Sequence, residues 1–296
     1  MDHAVEPPRT GKPGQQALTG IFLMATGVGC LCINDAFAKT LTESYSPVQI
    51  FFLRNLIAMP FAVFCVLITG GAEAMRSRRP KPHFLRGALW LCATILFFSG
   101  LKQLELAEAT ALVFVAPIFI TALSAIILRE QVGWRRWSAV LVGFIGAMIV
   151  IRPGGAAFQP ASLFPLTTAL FYAILMIAAR WVDPRESVWT LLFYMTGTGL
   201  LFSALIVPFF WVTPQAAHLP LFLAIALFGT AGVTMMTQAF RFAPAAVVAP
   251  IDYSALLWAT ALGWVIWGEL PDLATYVGAS IIIASGVFII YRERAR

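Results

Sequence analysis

Long apolar runs follow one another along the whole chain, and they restrict its fold more than any other feature. A helix needs about 20 mainly apolar residues to cross a bilayer. Only 11% of the 296 residues are charged, whereas soluble domains contain about 25%. We therefore predict an all-α polytopic membrane protein with ten transmembrane helices, at residues 17–41, 46–69, 84–102, 107–128, 136–151, 161–181, 187–212, 219–241, 245–268 and 272–291.

The distribution of positive charge predicts how these helices are oriented. Segments rich in Lys and Arg stay on the cytoplasmic side of a membrane. If the first helix runs outward, 16 of the 20 Lys and Arg residues fall in cytoplasmic segments, and only Lys102 and Arg152 fall on the opposite side. We therefore expect both termini to be cytoplasmic. Residues 1–16 are polar and contain Pro and Gly, and we interpret them as a disordered cytoplasmic tail.

The cysteines show no pattern that is typical of metal binding. Cys30, Cys32, Cys65 and Cys92 all lie in apolar runs, without a C-x-x-C motif or a Cys/His cluster. We expect them to be small apolar packing residues. The net charge of +6 comes from short loops rather than from one basic face, which argues against nucleic acid as a partner. The sequence therefore implies no metal, no cofactor and no disulfide framework.

The two halves of the chain contain similar segments, at residues 113–132 and 247–271. Each has an A-P-I triplet, a middle rich in small residues and an acid near its end, which is Glu130 or Glu269. We expect these acids to cap backbone groups at helix ends rather than to bind substrate. Since each half would hold five helices, an odd number, the second half must enter the membrane in the opposite direction. Inverted repeats are typical of secondary transporters, which bind substrate near the midplane between the halves.

Several motifs resemble those of a known family. The N-D-A-x-x-K-x-L run at 34–41, the QIFFLR segment at 49–54 and the segments ending in LREQ and WGELP are similar to the EamA type of the drug/metabolite transporter superfamily. The resemblance implies a basket-like bundle with a central cavity that works by alternating access without ATP. It divides the chain into a first EamA-type five-helix repeat at 17–152 and a second, inverted one at 153–296. Within that superfamily, the segment at 252–269 is similar to the YddG-like amino-acid exporters.

Four polar residues lie in the outer half of the first two predicted helices. Charged residues inside a span usually face the bundle interior or a water-filled cavity. Asp35 and Lys39 are four residues apart, so they share a helix face and can pair. We interpret Asn34, Asp35, Lys39 and Arg54 as part of a substrate pathway. The alternative is that Lys39 and Arg54 extend to the outer headgroups and that Asp35 neutralises one of them.

A second polar group lies in the inner half of the predicted bundle. It consists of Gln238, Asp252 and Tyr253. Asp252 is interpreted either as a gate or substrate contact, or as a structural partner of Arg241, and the sequence does not decide between these roles.

Aromatic residues and prolines supply further candidates for the pathway. Trp90, Tyr172, Tyr253 and Trp258 lie deep in predicted spans, where they could form a cavity wall that accepts apolar or aromatic groups. The hinge candidates are Pro117 and Pro250, which interrupt the fourth and ninth spans at matching repeat positions. Proline removes a helix hydrogen bond and bends the helix, and paired bends in two halves indicate moving parts near a binding site. The alternative is a static kink that serves only packing.

The pattern favours a secondary transporter over two other classes of protein. A membrane-embedded enzyme needs reactive groups at depth, but His3, His83 and His218 all lie outside the predicted spans, and we expect no catalytic residues. A structural or receptor protein would leave the buried charges unexplained, and the loops are too short for a large recognition surface.

The expected function is therefore transport of small organic solutes across a bacterial inner membrane, in contact with membrane lipids. Export of amino acids, including aromatic ones, is the first interpretation. Uptake of a metabolite or cofactor such as riboflavin or S-adenosylmethionine is the alternative. The sequence leaves open the solute, the direction of transport, coupling to protons and the oligomeric state.

Overall fold

Helices account for all the regular secondary structure in the described part of the chain. The structure is a computed structural model, and it describes residues 13–77, 79–127, 133–152, 159–178, 181–182, 186–243 and 245–294. In chain order the α-helices are α1 (Pro13–Thr42), α2 (Pro47–Gly70), α3 (Pro80–Leu101), α4 (Leu106–Val113), α5 (Ala116–Ile127), α6 (Trp134–Ile151), α7 (Leu163–Ala178), α8 (Val188–Ile206), α9 (Leu219–Phe242), α10 (Ala245–Val248), α11 (Ala255–Trp267) and α12 (Leu273–Arg294).

The helices have the length and apolar character of a polytopic membrane protein, which confirms the predicted class. Seven helical segments in the described ranges are long and apolar enough to cross a membrane, and three more apolar helices are shorter. The count of ten crossings and the cytoplasmic location of both termini stay predictions. Helix α1 begins at Pro13, within the segment expected to be a tail, and the boundary of the tail at residue 16 stays a prediction. Residues 1–12 lie outside the described part of the chain.

Capping residues and prolines mark where helices begin. The side chain of Ser46 accepts a hydrogen bond from the backbone N–H of Gln49, and Pro47 follows as the first residue of α2. Ser187 caps α8 in the same way by accepting from the N–H of Thr190. A cap satisfies an N–H that the helix leaves unpaired, and a first-turn proline has no N–H to satisfy. These signals fix where each helix starts and hence the depth of the residues that follow.

Two helical segments are interrupted, and proline accounts for both interruptions. Pro117 lies in the first turn of α5, directly after the break between α4 and α5. Pro250 lies in the 3-10 turn Ala249–Ser254, which separates α10 from α11. Proline cannot donate the hydrogen bond that would continue the preceding turn. The prediction that both prolines interrupt their spans is confirmed, and their hinge role stays a proposal.

The most extensive helix contacts in the described chain join its two halves. They are α1 with α9, α6 with α12, α3 with α7 and α2 with α8. The sequence counterparts of α1, α2, α3 and α6 are α7, α8, α9 and α12. If each helix is replaced by its counterpart in the other half, the α1–α9 pair becomes the α7–α3 pair. The α2–α8 and α6–α12 pairs each become themselves again. Two related halves packed around a two-fold axis would produce this pattern.

Glycine allows two of these helix pairs to approach closely. A Cβ added at Gly27 of α1 would lie 3.0 Å from the carbonyl oxygen of Gly232 in α9. A Cβ added at Gly146 of α6 would lie 2.8 Å from the carbonyl oxygen of Gly278 in α12. Larger residues would force the backbones apart, so these glycines set the spacing of the halves.

One end of the bundle is the end at which α1 finishes, and we call it the Lys39 end. There the hydroxyl of Tyr45 lies 2.9 Å from Nδ1 of His218, and Nε2 of Gln49 donates to the carbonyl of Val212 at 2.5 Å. These bonds tie the α1–α2 connection and the first turn of α2 to the segment between α8 and α9. They therefore join the first half to the second at this end.

The opposite end is held by a buried histidine, and we call it the His83 end. Nε2 of His83 lies 2.7 Å from the carboxylate of Glu186, which also accepts a hydrogen bond from the hydroxyl of Ser77. The His83 ring stacks on Tyr194 with centroids 4.4 Å apart. The prediction that His83 lies outside the spans is wrong, because Pro80 starts α3 four residues before the predicted boundary and His83 is only 2% exposed.

Candidate substrate cavity

A cavity of about 340 Å³ lies between the two halves, and residues from both halves line it. Its volume is in the range of pockets that bind small organic molecules. The predicted site residues in its lining are Asn34, Asp35, Arg54, Trp90, Pro117, Tyr172, Asp252 and Tyr253. Three others lie outside the lining, namely Lys39, Gln238 and Trp258. The side chain of Pro250 is outside the described part of the chain.

Arg54 places a buried positive charge in the cavity wall. The residue is 7% exposed, and the central carbon of its guanidinium lies 5.8 Å from the centre of the Trp90 ring. Asp35 attracts it electrostatically, but no described residue forms a hydrogen bond or a direct ion pair with the guanidinium. A buried charge without a direct partner is costly. The guanidinium is therefore suited to bind an anionic group that enters the cavity.

Asn34 and Asp35 form the second polar feature of the wall. Nδ2 of Asn34 donates to the Asp35 carboxylate at 2.8 Å. The Oδ1 atom of Asn34 is buried and has no hydrogen-bond partner in the described chain. The two adjacent side chains thus present a carboxylate and an unused amide oxygen, both of which attract positively charged or N–H groups.

Lys39 pairs with Glu269 rather than with Asp35, so the predicted Asp35–Lys39 pair is wrong. Its Nζ atom lies 2.8 and 2.6 Å from the two carboxylate oxygens of Glu269 and 4.7 Å from the centre of the Trp267 ring. Lys39 is one turn closer to the helix end than Asp35, and its long side chain extends toward that end. The expected capping role of Glu269 is also replaced by this ion pair. Glu130 lies outside the described part of the chain.

Other charged groups surround this ion pair at the Lys39 end. Burial raises the pKa of the Glu105 carboxyl, and the nearby negative charge of Glu269 adds to the rise. Arg152 at the end of α6 pairs with Asp272 before α12, and both side chains are partly exposed. The ion pairs Lys39–Glu269 and Arg152–Asp272 therefore connect the two halves at the Lys39 end.

An apolar layer separates the cavity from the Lys39 end. In α1 and α3 the cavity-lining residues precede the layer residues in the sequence, and the layer residues lie closer to the C-terminal end of each helix. Phe98 belongs to both the cavity lining and the layer. The layer consists of residues exposed by less than 5%, including Ala36, Ala38, Leu41, Tyr45, Ile50, Phe98, Leu101, Leu104, Leu106, Phe222 and Ile225. The cavity is therefore closed from this end.

The interruption at Pro250 brings Asp252 and Tyr253 to the cavity. The Tyr253 ring meets Phe114 edge-on, with centroids 5.0 Å apart. Its hydroxyl reaches Gly286 in α12 and has no hydrogen-bond partner in the described chain. A 3-10 turn directs side chains differently from a continuous helix. The broken helix therefore presents an acid and a tyrosine side by side in the lining.

Asp252 is a second carboxylate of the cavity. It interacts electrostatically with the hydroxyls of Tyr172 and Tyr253, which lie on different elements. Arg241, the structural partner considered above, has a side chain outside the described part of the chain. With Asp35 and Arg54, the charged lining thus contains two acids and one base.

Two of the predicted aromatic positions differ in their surroundings. Trp90 lines the cavity beside Arg54. Trp258 is 42% exposed and packs against Gly29 of α1, outside the lining. The depth of a residue in a span does not determine which side of the helix it occupies, and the prediction used depth alone.

Sequence reasoning missed several lining residues, all of them apolar or weakly polar. They include Thr94, Phe97, Phe98, Val113, Ile120, Thr168, Met176 and Met236. In a helix that faces lipid on one side and protein on the other, both sides are apolar, so the residue type gives little signal. The available signal at Thr168 was a hydroxyl in an apolar span. In the structure this hydroxyl lies 3.0 Å from the carbonyl oxygen of Phe164 and 3.2 Å from that of Ala93 on α3.

Comparison with known proteins gives consistent results. The sequence pattern of the "EamA-like transporter family" matches residues 18–152 and again residues 159–292. An S-adenosylmethionine uptake transporter of Rickettsia prowazekii is 30% identical over 94% of each chain. A riboflavin transporter of Rhizobium johnstonii is 31% identical over 76% of this chain and 75% of its own. A solved crystal structure matches with a TM-score of 0.64 at 20% identity, over 95% of this chain and 98% of the other.

These matches agree with the apolar helices and the cavity between two halves. The family pattern occurs twice and together covers most of the chain. The relatives are bacterial transporters of small molecules. The protein therefore belongs to the EamA-like transporter family of the drug/metabolite transporter superfamily, and it is a multi-pass transporter of the bacterial inner membrane rather than an enzyme.

Proposed function

We propose that the protein carries its solute by alternating access through the cavity between two inverted five-helix halves. The halves correspond to residues 17–152 and 153–296, with ten crossings and both termini in the cytoplasm. The observation that carries this proposal is the Arg54 guanidinium, which is buried in the cavity wall without a direct partner. A charged residue buried in a membrane helix is a functional candidate, because burying the charge costs stability.

The charges of the cavity support a solute that contains an amino-acid group. A carboxylate of the solute would bind the Arg54 guanidinium, and its ammonium would bind Asp35 beside Asn34. The second acid, Asp252, then favours a solute with an additional positive charge. Trp90, Tyr172 and other aromatic residues of the lining would contact a flat ring.

S-adenosylmethionine has each of these groups: a carboxylate, an ammonium, a positively charged sulfonium and an adenine ring. A relative that covers the same length carries that solute in its name. We therefore propose S-adenosylmethionine, or a solute of the same charge pattern, as the first candidate. Export of aromatic amino acids is the second candidate, supported by the same Arg54–Asp35 arrangement and the aromatic lining. An aromatic amino acid would leave the Asp252 carboxylate without a charged partner.

Alternating access requires that the two ends of the cavity open in turn. The Lys39 end is closed by the apolar layer and the Lys39–Glu269 pair. Pro117 and Pro250 interrupt the two helical segments that line the cavity at related positions of the halves. We propose that bending at these prolines moves α4 and α11, which both contribute residues to the apolar layer, and opens the closed end. Gln238 would lie on the inner side of the path without contacting the solute in this state.

Counterflow in proteoliposomes tests the proposed function. Vesicles preloaded with unlabelled S-adenosylmethionine should accumulate the labelled solute, whereas vesicles preloaded with tryptophan or phenylalanine should do so weakly. The reverse order would favour amino-acid export. If the wild-type protein exchanges none of these solutes, and a panel of other zwitterionic metabolites also fails, the cavity does not bind an amino-acid group.

The proposed topology predicts which loops face the cytoplasm. Gly71 and Arg76 are exposed at the His83 end, and Lys102 and Gln103 are exposed at the Lys39 end. Single cysteines at positions 76 and 103, in a variant without the four native cysteines, should react from opposite sides of the membrane. A membrane-impermeant reagent should label position 103 in intact spheroplasts and position 76 only after lysis. Labelling of both from the same side would contradict the inverted arrangement.

A further inference from the structure

Helix α9 passes very close to the polar groups of the cavity wall at Gly229. A Cβ added at this residue would lie 2.6 Å from Oδ1 of Asn34, 2.7 Å from Nη2 of Arg54 and 2.8 Å from Nε of Arg54. Distances below 3.0 Å are essentially absent among real Cβ contacts. Any other residue at position 229 would therefore displace Asn34, Arg54 or both.

The edge of the guanidinium that faces Gly229 is its Nε–Nη2 edge. These two N–H groups form a fork that can bind both oxygens of a carboxylate. Gly229 lies directly in front of this edge, so the space that its missing side chain leaves sets how far the guanidinium can turn toward α9. The contact between α9 and Arg54 thus controls which way the two donors point.

A second, smaller pocket lies on the α9 side of the same arginine. Its volume is about 20 Å³, and Arg54 and Trp90 line both this pocket and the main cavity. Polar lining is supplied by Asn55, Thr196 and Thr230. A pocket of this size holds about one water molecule. Arg54 therefore lies between the two pockets, and a side chain at position 229, which also lines the small pocket, would fill that space.

We propose that Gly229 is a positioning residue that sets the affinity of the carrier for the carboxylate of its solute. The proposal rests on the proposed function, because it assumes that the solute carboxylate binds Arg54. Without a Cβ at position 229, the guanidinium lies between the small pocket and the cavity, with Asn34 held beside it. A methyl group there pushes the guanidinium from this place, so its N–H groups change their direction relative to a carboxylate in the main cavity.

Replacement of Gly229 by alanine tests this role. Gly229→Ala should raise the KM for a solute with a carboxylate on the order of 10-fold, as expected for a lost charged hydrogen bond, with a smaller change in maximal rate. The KM for the methyl ester of the same solute, which lacks the anionic carboxylate, should change much less. Gly197→Ala in α8 is the matched control, because a Cβ there meets only the flexible side chain of Met59 at 3.3 Å.

A double variant separates positioning from a general effect on the fold. Arg54→Lys removes the fork but keeps the charge, so adding Gly229→Ala to it should have little further effect on KM. Equal losses for acid and ester, or an undiminished effect of Gly229→Ala in the Arg54→Lys background, would overturn the proposal. If the wild-type protein transports neither the acid nor the ester, the proposed function fails instead. The two failures are therefore distinguishable.

Discussion

Replacing Arg54 with methionine should reduce solute flux by about 100-fold, because two charged hydrogen bonds to the solute carboxylate are lost together. The same change should lower the stability of the protein, because the buried Asp35 carboxylate would lose the guanidinium that favours its charged form. Breaking one side of a buried charge interaction costs about 3 kcal/mol in a dry site, and less where a cavity admits water. Flux in proteoliposomes and thermal unfolding in detergent measure the two effects separately.

A second substitution distinguishes the two roles of Arg54. In Arg54→Met with Asp35→Asn, the unpaired charge is gone, so we expect the melting temperature to recover while transport stays lost. Arg76→Met is the matched control, since Arg76 is exposed outside the helices and should affect neither property. Wild-type flux in Arg54→Met would exclude Arg54 from the solute path. Recovery of flux in the double variant would mean that the arginine serves only to balance Asp35.

The general architecture could be predicted because it depends on strong local signals. Apolar runs long enough to cross a membrane can form few structures other than helices. The breaks at Pro117 and Pro250 follow from the missing N–H of proline, which acts within one turn. Asn34, Asp35 and Arg54 were predicted as pathway residues because charge inside a span needs a polar surrounding, and the structure brings all three to the cavity. Their role in transport stays a proposal.

The pairing of Lys39 could not be predicted from local rules. The i,i+4 rule offers Asp35 as a partner, but it does not consider residues that the fold brings close from elsewhere. Glu269 lies 230 residues further along the chain. The contact of Gly229 with Asn34 and Arg54 is of the same kind, since a glycine in an apolar helix gives no sign of what it touches. Long-range contacts of this type decide the details of the site, and they follow only from the packed structure.

Breaking the Lys39–Glu269 pair should open the Lys39 end. The pair joins α1 in the first half to the turn after α11 in the second half, directly outside the apolar layer. Its side chains are 12% and 28% exposed, and Lys39 also lies over the Trp267 ring. A partly buried pair with two hydrogen bonds and a ring contact is worth more than an exposed one. Its loss should therefore shift the protein toward the state that is open at this end.

Cys32 can report this shift, because it lines the cavity and is only 4% exposed. In a variant that keeps Cys32 as its single cysteine, Glu269→Gln should increase the rate of labelling from the Lys39 side on the order of 10-fold, which corresponds to about 1.4 kcal/mol. Glu105 is close enough to attract Lys39, so Glu269→Gln with Glu105→Gln should show the full effect. Transport should slow as well, because a carrier held open on one side completes fewer cycles.

An ion pair at the same end supplies the control for this experiment. Arg152 and Asp272 also connect the two halves, but their side chains are 36% and 48% exposed, and exposed pairs contribute little. Arg152→Gln should therefore leave the labelling rate of Cys32 near that of the wild type. Exchanging the charges in Lys39→Glu with Glu269→Lys should restore part of the slow labelling, because the new pair can form across the same gap. If Glu269→Gln labels no faster than Arg152→Gln, the apolar layer alone closes the cavity, and the Lys39–Glu269 pair is not part of the gate.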